Sequence, residues 1–286
     1  MEIAVRANAK LAEGPRWDAR ARRLLWVDIE GQELHVFADG EDRALRLDAM
    51  VSAAAPAGGD QVLVALADRL ALVDLADAAV TTLAGFPHGR ALRANDGACD
   101  AAGRFWIGTM ALDQAPGAGA LYRYDGELRR MVGDVTLSNG LGWAHDDTRM
   151  YFIDSPEQRV DIFDFDVAAG TLAERRPFVA IAESDGIPDG LAVDDEGGIW
   201  VALYGGGRLH RYDERGALDA VLDVPGSNVT SCCFGGDDGR SLFVTTAAPD
   251  GNVYVTLPGV AGPPAHVFHG GGTSTAPSEA DETSPR

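Results

Sequence analysis

Short runs of aromatic and β-branched residues alternate along the chain with polar turns rich in Gly and Asp, and the pattern repeats. LLWVDIEGQELHVF begins at Leu24, QVLVALADRLALVDL at Gln61, GRFWIGTM followed by GALYRYD at Gly103, RMYFIDSPEQRVDIFDFD at Arg149, GGIWVALYGGGRLHRYD at Gly197, and RSLFVTTAAPDGNVYVTL at Arg240. Each reads as a strand, a polar turn and an alternating second strand. The starts advance by roughly 37 to 48 residues, the period of four-stranded propeller blades. A helical period is almost absent, which sets aside βαβ architectures, and neither a sandwich nor a barrel explains so large a unit. The pattern predicts an all-β, six-bladed β-propeller over residues 1–269. Residues 1–7 supply one extra strand, expected to complete the last blade and lock the ring. Residues 270–286 (GGGTSTAPSEADETSPR) are Gly/Ser/Thr/Pro-rich and predicted to be a disordered tail.

A second repeat precedes the first turn of several units. Glu13-Gly-Pro-Arg-Trp-Asp18, Asn95-Asp-Gly-Ala-Cys-Asp100 and Asp189-Gly-Leu-Ala-Val-Asp194 each place an oxygen-bearing side chain five residues before a turn aspartate, and Asn139-Gly-Leu-Gly-Trp before His145 is a longer version. At the same register blade two offers Val51 and blade six Thr230. The innermost strand of every blade lines the central channel, and a five-residue strand spans about 17 Å. Glu13, Asn95, Asn139 and Asp189 are therefore expected to ring one mouth. Two carboxylates in a narrow funnel either raise one another's pKa or are neutralised by a cation. Oxygen donors without Cys or His describe a hard-cation site for one divalent ion: Ca, Mg or Mn, with Zn possible. Arg93, two residues before Asn95, projects to the same side. It is placed either to contact substrate or to form a structural ion pair with the ring. His88, in the loop FPHGR, reads as surface.

Composition narrows the function. The net charge of -20 with scattered arginines argues against nucleic acid. No apolar run reaches the roughly 18 residues of a membrane span, and MEIAVRANAK carries no apolar stretch long enough for a secretion signal. Cys99, Cys232 and Cys233 form a poor disulfide framework and suit a reducing compartment. The chain thus reads as cytoplasmic, with Cys232 and Cys233 as one core-facing and one outward-facing strand residue. Motifs of zinc peptidases, P-loops and CxxC sites are absent. The nearest approach to G-x-S-x-G, Gly272 to Ala276, lies in the tail and ends on alanine.

AEGPRW with LLWVDI, then RAND, GRFWIGTM, LSNGLGW, YFIDS, IPDGLAVDDEGGIWVALYGGGR and VTSCCFGG occur in that order from about residue 10 to about residue 247. As an ordered set they resemble the senescence-marker-protein/gluconolactonase (regucalcin-like) family of sugar lactonases. The resemblance implies a metal-dependent hydrolase that opens an aldonolactone to the aldonic acid. Glu13, Asn139 and Asp189 would be metal ligands, Arg93 and Asn95 substrate contacts with Asn95 at or near the metal, and Asp189 also the acid/base. Two departures bear on the pocket: a short loop at 111–119 without a clear acidic substrate contact, and an abbreviated stretch after Pro249. The competing class is a non-enzymatic calcium-binding propeller acting as an interaction protein; a third is an esterase for larger hydrophobic esters using the same metal.

Overall fold

The computed structural model describes residues 1–87 and 91–270, so His88 and the segment 271–286 lie outside the described residues. Among the described residues the strands form six separate four-stranded antiparallel sheets. Five of these take their strands in chain order, spanning residues 12–46, 51–85, 92–135, 138–180 and 187–223. The sixth combines three late strands between 229 and 256 with the N-terminal strand Glu2–Val5, which pairs antiparallel with Val253–Thr256. First and last parts of the chain thus share one blade, as the extra strand at residues 1–7 predicts, and the sheet ring closes. This is a six-bladed β-propeller.

Burial runs from the axis outward. The innermost strand of blade one, Ala12–Asp18, and the next, Arg23–Asp28, are buried at nearly every position, whereas the outermost, Glu41–Arg46, is almost wholly exposed. Inner strands are packed on both faces by neighbouring blades, so they lose the in/out alternation of an ordinary half-buried strand. The apolar clusters accordingly lie between blades. Leu25 and Val27 pack with Ala54, Val62 and Val64. At the closure, Val5 and Val253 pack with Trp26 and Cys233. Cys232 belongs to the cluster on the other side, with Trp200 and Val244. Both cysteines are buried, which corrects the expectation of one outward-facing residue: an inner propeller strand has no outward face.

The turn aspartates are latches. Asp100, fully buried, accepts from the Ala102 and Arg104 N–H groups (3.0 and 3.1 Å), Arg104 Nε (2.7 Å) and Trp106 Nε1 (2.8 Å). Asp194 repeats this with the Glu196 and Gly198 N–H groups, Trp200 Nε1 and Arg211 Nε. They tie each inner strand to its neighbour at one end of the channel. Across that same end runs the last described segment. The Ala265 N–H reaches the Trp17 carbonyl (3.1 Å), Phe268 that of Pro56 (2.7 Å) and His269 that of Gly103 (3.1 Å), so it bridges blades one to three. Among the described residues no helix is long and apolar enough to cross a membrane.

Candidate metal-binding active site

Every inner strand carries a one-residue register shift at its end opposite the turn aspartates. The shifts fall between Glu13 and Arg16, Val51 and Ala53, Ala94 and Gly97, Ser138 and Leu141, Pro188 and Leu191, and Val229 and Ser231. A bulge bends its strand and re-aims the side chain it carries. Here six bulges repeated around the axis hold Glu13, Ser52, Asn95, Asn139, Asp189 and Thr230. Blade two therefore contributes Ser52, not Val51: Val51 pairs across the ladder with Leu66, and the bulge displaces the next residue. Ser52 Oγ donates to the Ala94 carbonyl (2.7 Å) and Thr230 Oγ1 to that of Ala12 (2.6 Å), so these two hydroxyls stitch adjacent blades. Glycine follows Glu13, Asn139 and Asp189. At Gly140 a Cβ would stand 2.7 Å from the Asp189 carbonyl oxygen, which shows how closely neighbouring inner strands approach.

The four predicted ring residues are brought together. Asn95 Nδ2 donates to Asn139 Oδ1 (2.7 Å) and to the Ser138 carbonyl (2.8 Å). Arg93 Nη1 donates to Asn95 Oδ1 (2.7 Å), which puts Arg93 on the same wall. Glu13 and Asp189 complete the mouth: Asp189 feels the charge of Glu13, and both feel that of Asp96.

Asp96 and its partner Arg16 escaped the sequence reading, although both stand inside quoted motifs, RAND and EGPR. Arg16 Nη2 pairs with Asp96 Oδ1 at 3.2 Å and also donates to the Gly97 carbonyl. The pair is buried in the channel just beyond the ring. Its signal was a second charge inside each motif.

Electrostatically the ring is under-neutralised. Burial, reinforced by Asp96, pushes Glu13 up to about 8 despite the Gly14 N–H bonded to its Oε2 at 2.7 Å. Burial and the charges of Glu13 and Asp96 hold Asp189 well above the usual carboxylate range, with Arg93 opposing. Burial also raises Asp96 and lowers Arg93. The Asp189 carboxylate accepts no hydrogen bond from any described residue. Among the described residues no three His, Cys, Asp or Glu side chains are gathered as a metal cluster, so the donor set is two carboxylates supplemented by amide oxygen. Buried, oxygen-only and short of donors, that set fits a hard divalent cation.

A cavity of about 320 Å³ lies away from this ring. It opens at the opposite mouth, is walled by Trp17, Cys99, Leu141, Leu191, Cys232 and Cys233, and is flanked by residues 263–266. Burial raises all three thiols, Cys233 to about 12, so they carry no thiolate chemistry at neutral pH. The two departures noted in the sequence open instead at the ring mouth. Ala111 pairs with Leu92 beside Arg93, and Thr246, before the second, pairs with Val229.

Comparison with known proteins adds a family. The profile described as "SMP-30/Gluconolactonase/LRE-like region" matches residues 11–248. The chain is 36% identical over 248 residues to Bacillus subtilis (strain 168) YvrE, provisionally named a sugar lactone lactonase, covering 84% of each chain. It is 35% identical over 254 residues to regucalcin of Danio rerio, covering 86% of each. Among solved structures, a calcium-binding protein, regucalcin, from Agrobacterium tumefaciens superposes with a TM-score of 0.90 at 29% identity, over 94% of this chain and 97% of that one. These matches show that the chain belongs to the SMP-30/gluconolactonase/LRE-like family.

Proposed function

We propose that the protein is a divalent-cation-dependent hydrolase that opens a sugar lactone to its aldonic acid at the ring mouth. One observation carries the reading: Glu13 and Asp189 lie buried and short of hydrogen-bond donors beside a wall built of Arg93 and Asn95. Two buried acids that burial and mutual repulsion drive toward protonation call for a positive charge between them. The family's gluconolactonase members and the calcium-binding relative support the same assignment.

Glu13, Asn139 and Asp189 would hold the cation. When bound, such an ion supplies Lewis-acid polarisation of an ester carbonyl and draws nearby carboxyls back to their ionised form. Arg93 has further N–H groups beyond the one given to Asn95, and with Asn95 it orients the sugar hydroxyls. Asp189, unencumbered by hydrogen bonds, takes a proton from water as the water oxygen adds to the lactone carbonyl carbon. When the bond from that carbon to the ring oxygen breaks, Asp189 returns the proton to the ring oxygen, which leaves as a hydroxyl. Water is consumed and one hydroxy acid is formed.

The wall also separates this reading from a purely structural calcium site, which needs no guanidinium and amide facing the ion. A steady-state assay on glucono-, galactono-, xylono- and arabinonolactone with Mg²⁺, Ca²⁺, Mn²⁺ or Zn²⁺ decides between them. Turnover of at least one lactone, abolished by EDTA and restored by the cation, is the expected result. Tight cation binding without hydrolysis of any lactone would favour the non-enzymatic calcium-binding propeller instead.

A further inference from the structure

The wall does not end at Asn139. Asn139 Nδ2 donates to Ser155 Oγ at 2.8 Å, and Ser155 Oγ donates to the Pro188 carbonyl at 2.7 Å. Ser155 starts a short 3₁₀ turn after the second strand of blade four and is 1% exposed. The full chain of bonds runs from Arg93 through Asn95, Asn139 and Ser155 to the backbone immediately before Asp189.

Both ends of this chain are fixed in direction. A guanidinium only donates and a carbonyl only accepts. Asn95 must therefore show Oδ1 to Arg93 and Nδ2 onward. Ser155 has one proton, committed to Pro188, so it accepts from Asn139 and Asn139 must turn Nδ2 toward it. The amide oxygen of Asn139 is thereby left on the other side, toward Asn95 and the channel. Without Ser155 the amide would be held on one side only, by Asn95 Nδ2 at its Oδ1, and could swing its NH₂ group, which a cation repels, toward the axis. We infer that Ser155 is a positioning residue that, together with Asn95, fixes which atom of Asn139 faces the cation site, while tying that ligand to the strand carrying Asp189. The inference rests on the ligand assignment made above.

The test is Mn²⁺ binding by calorimetry to metal-free protein, with melting temperature recorded separately. Loss of an outer-shell partner of a ligand typically weakens metal binding about 10- to 100-fold, and that loss is expected for Ser155→Ala. An aspartate presents oxygen in either orientation. In the Asn139→Asp background, Ser155→Ala should therefore add no further loss. A lower melting temperature for Ser155→Ala with unchanged Mn²⁺ affinity would overturn the inference and leave Ser155 a packing residue; so would an equal loss in both backgrounds. If Ser155→Ala does not fold, Ser155→Cys, which keeps the volume and weakens both bonds, is read the same way. Wild-type protein that binds no Mn²⁺, or Asn139→Ala that binds it as tightly as wild type, would remove the ligand assignment itself and the inference with it, and both results are distinct from those above.

Discussion

The inner strands carry two sets of buried acids, five residues apart, and the protein treats them in opposite ways. At one end Asp194 is 1% exposed and surrounded by four donors: two backbone N–H groups, an indole and a guanidinium. At the other end of the same strand Asp189 is 8% exposed and receives none from the described residues. Glu13 and Asp18 repeat the contrast, one bond against three among the described residues: Glu13 accepts from its neighbour's N–H, while Asp18 accepts from the Arg20 and Ala21 N–H groups and Arg23 Nε. Burial therefore does not distinguish a structural carboxylate from a chemical one. The supply of donors does, because an ionised group taken out of water is stable only where its lone pairs are met.

Exchanging the roles of the two ends would break this contrast, and the largest effect is expected at Asp189. Asp189→Ala should lower kcat/KM for a hydrolysed lactone by about 10²- to 10⁴-fold, the usual worth of a general acid–base group. The metal-free melting temperature should hold or rise, since the variant removes an acid that burial opposes. Full cation-dependent turnover in this variant would end its catalytic assignment. Asp194→Ala should do the reverse. It leaves Arg211 Nε, the Trp200 indole and two N–H groups without their acceptor, although Arg211 keeps Glu196 and Asp219, and breaking a buried pair costs about 3–5 kcal/mol, a fall in melting temperature on the order of 10 °C. The protein that remains folded should keep its kcat/KM. A melting curve unchanged by Asp194→Ala would sink the latch assignment.

How far the sequence foretold this depends on which set of residues is followed. The blades were legible because aromatic and β-branched strands recur with a long period, and the closing strand because six units leave residues 1–7 over. Three ring members were legible from a spacing of five to a turn aspartate. The member in blade two was misplaced by one residue, since the position of a β-bulge is not written in the local pattern: the shift between Val51 and Ala53 brings Ser52, not Val51, to the ring. An outward-facing member of the Cys232–Cys233 pair was expected wrongly because strand alternation assumes one solvated face, which an inner propeller strand lacks. Asp96, Arg16 and Ser155 were missed for another reason: a second charge inside each motif marks Arg16 and Asp96 but does not pair them. Their roles are pairwise, across 80 residues for Arg16 and Asp96, and local patterning holds no record of such partners.

A smaller effect sharpens the comparison from the side of the cation. Any ligand that binds only the folded state stabilises it by about 2.7 kcal/mol at one hundred times its Kd. Saturating Mn²⁺ or Ca²⁺ should accordingly raise the wild-type melting temperature by several degrees, and Glu13→Ala should lose that rise. Asp194 variants that fold should retain it, because their ring is intact. An undiminished rise in Glu13→Ala would remove Glu13 from the ligand set.

The smallest effect is protonic, and its sign follows from Glu13. Its pKa rises from 4.5 to about 8 in the folded protein without a cation. An acid raised in this way favours the folded state fully below its unfolded value, and that contribution is lost as pH climbs through the folded one. Metal-free protein should therefore lose stability between about pH 4.5 and 8 on this account, and a saturating cation should remove that part of the decline. At pH 7 Glu13 still holds its proton, so a cation must displace it to bind, and apparent affinity should rise with pH by up to about tenfold per unit until Glu13 ionises unaided. Calorimetry in two buffers of different ionisation enthalpy counts the protons released. Release at pH 7 that fades above pH 8 is expected for an acid waiting on a counter-charge. Cation binding with no proton released at pH 7 would mean that Glu13 is already ionised there and that the ring, like the latches, finds its neutralisation within the protein.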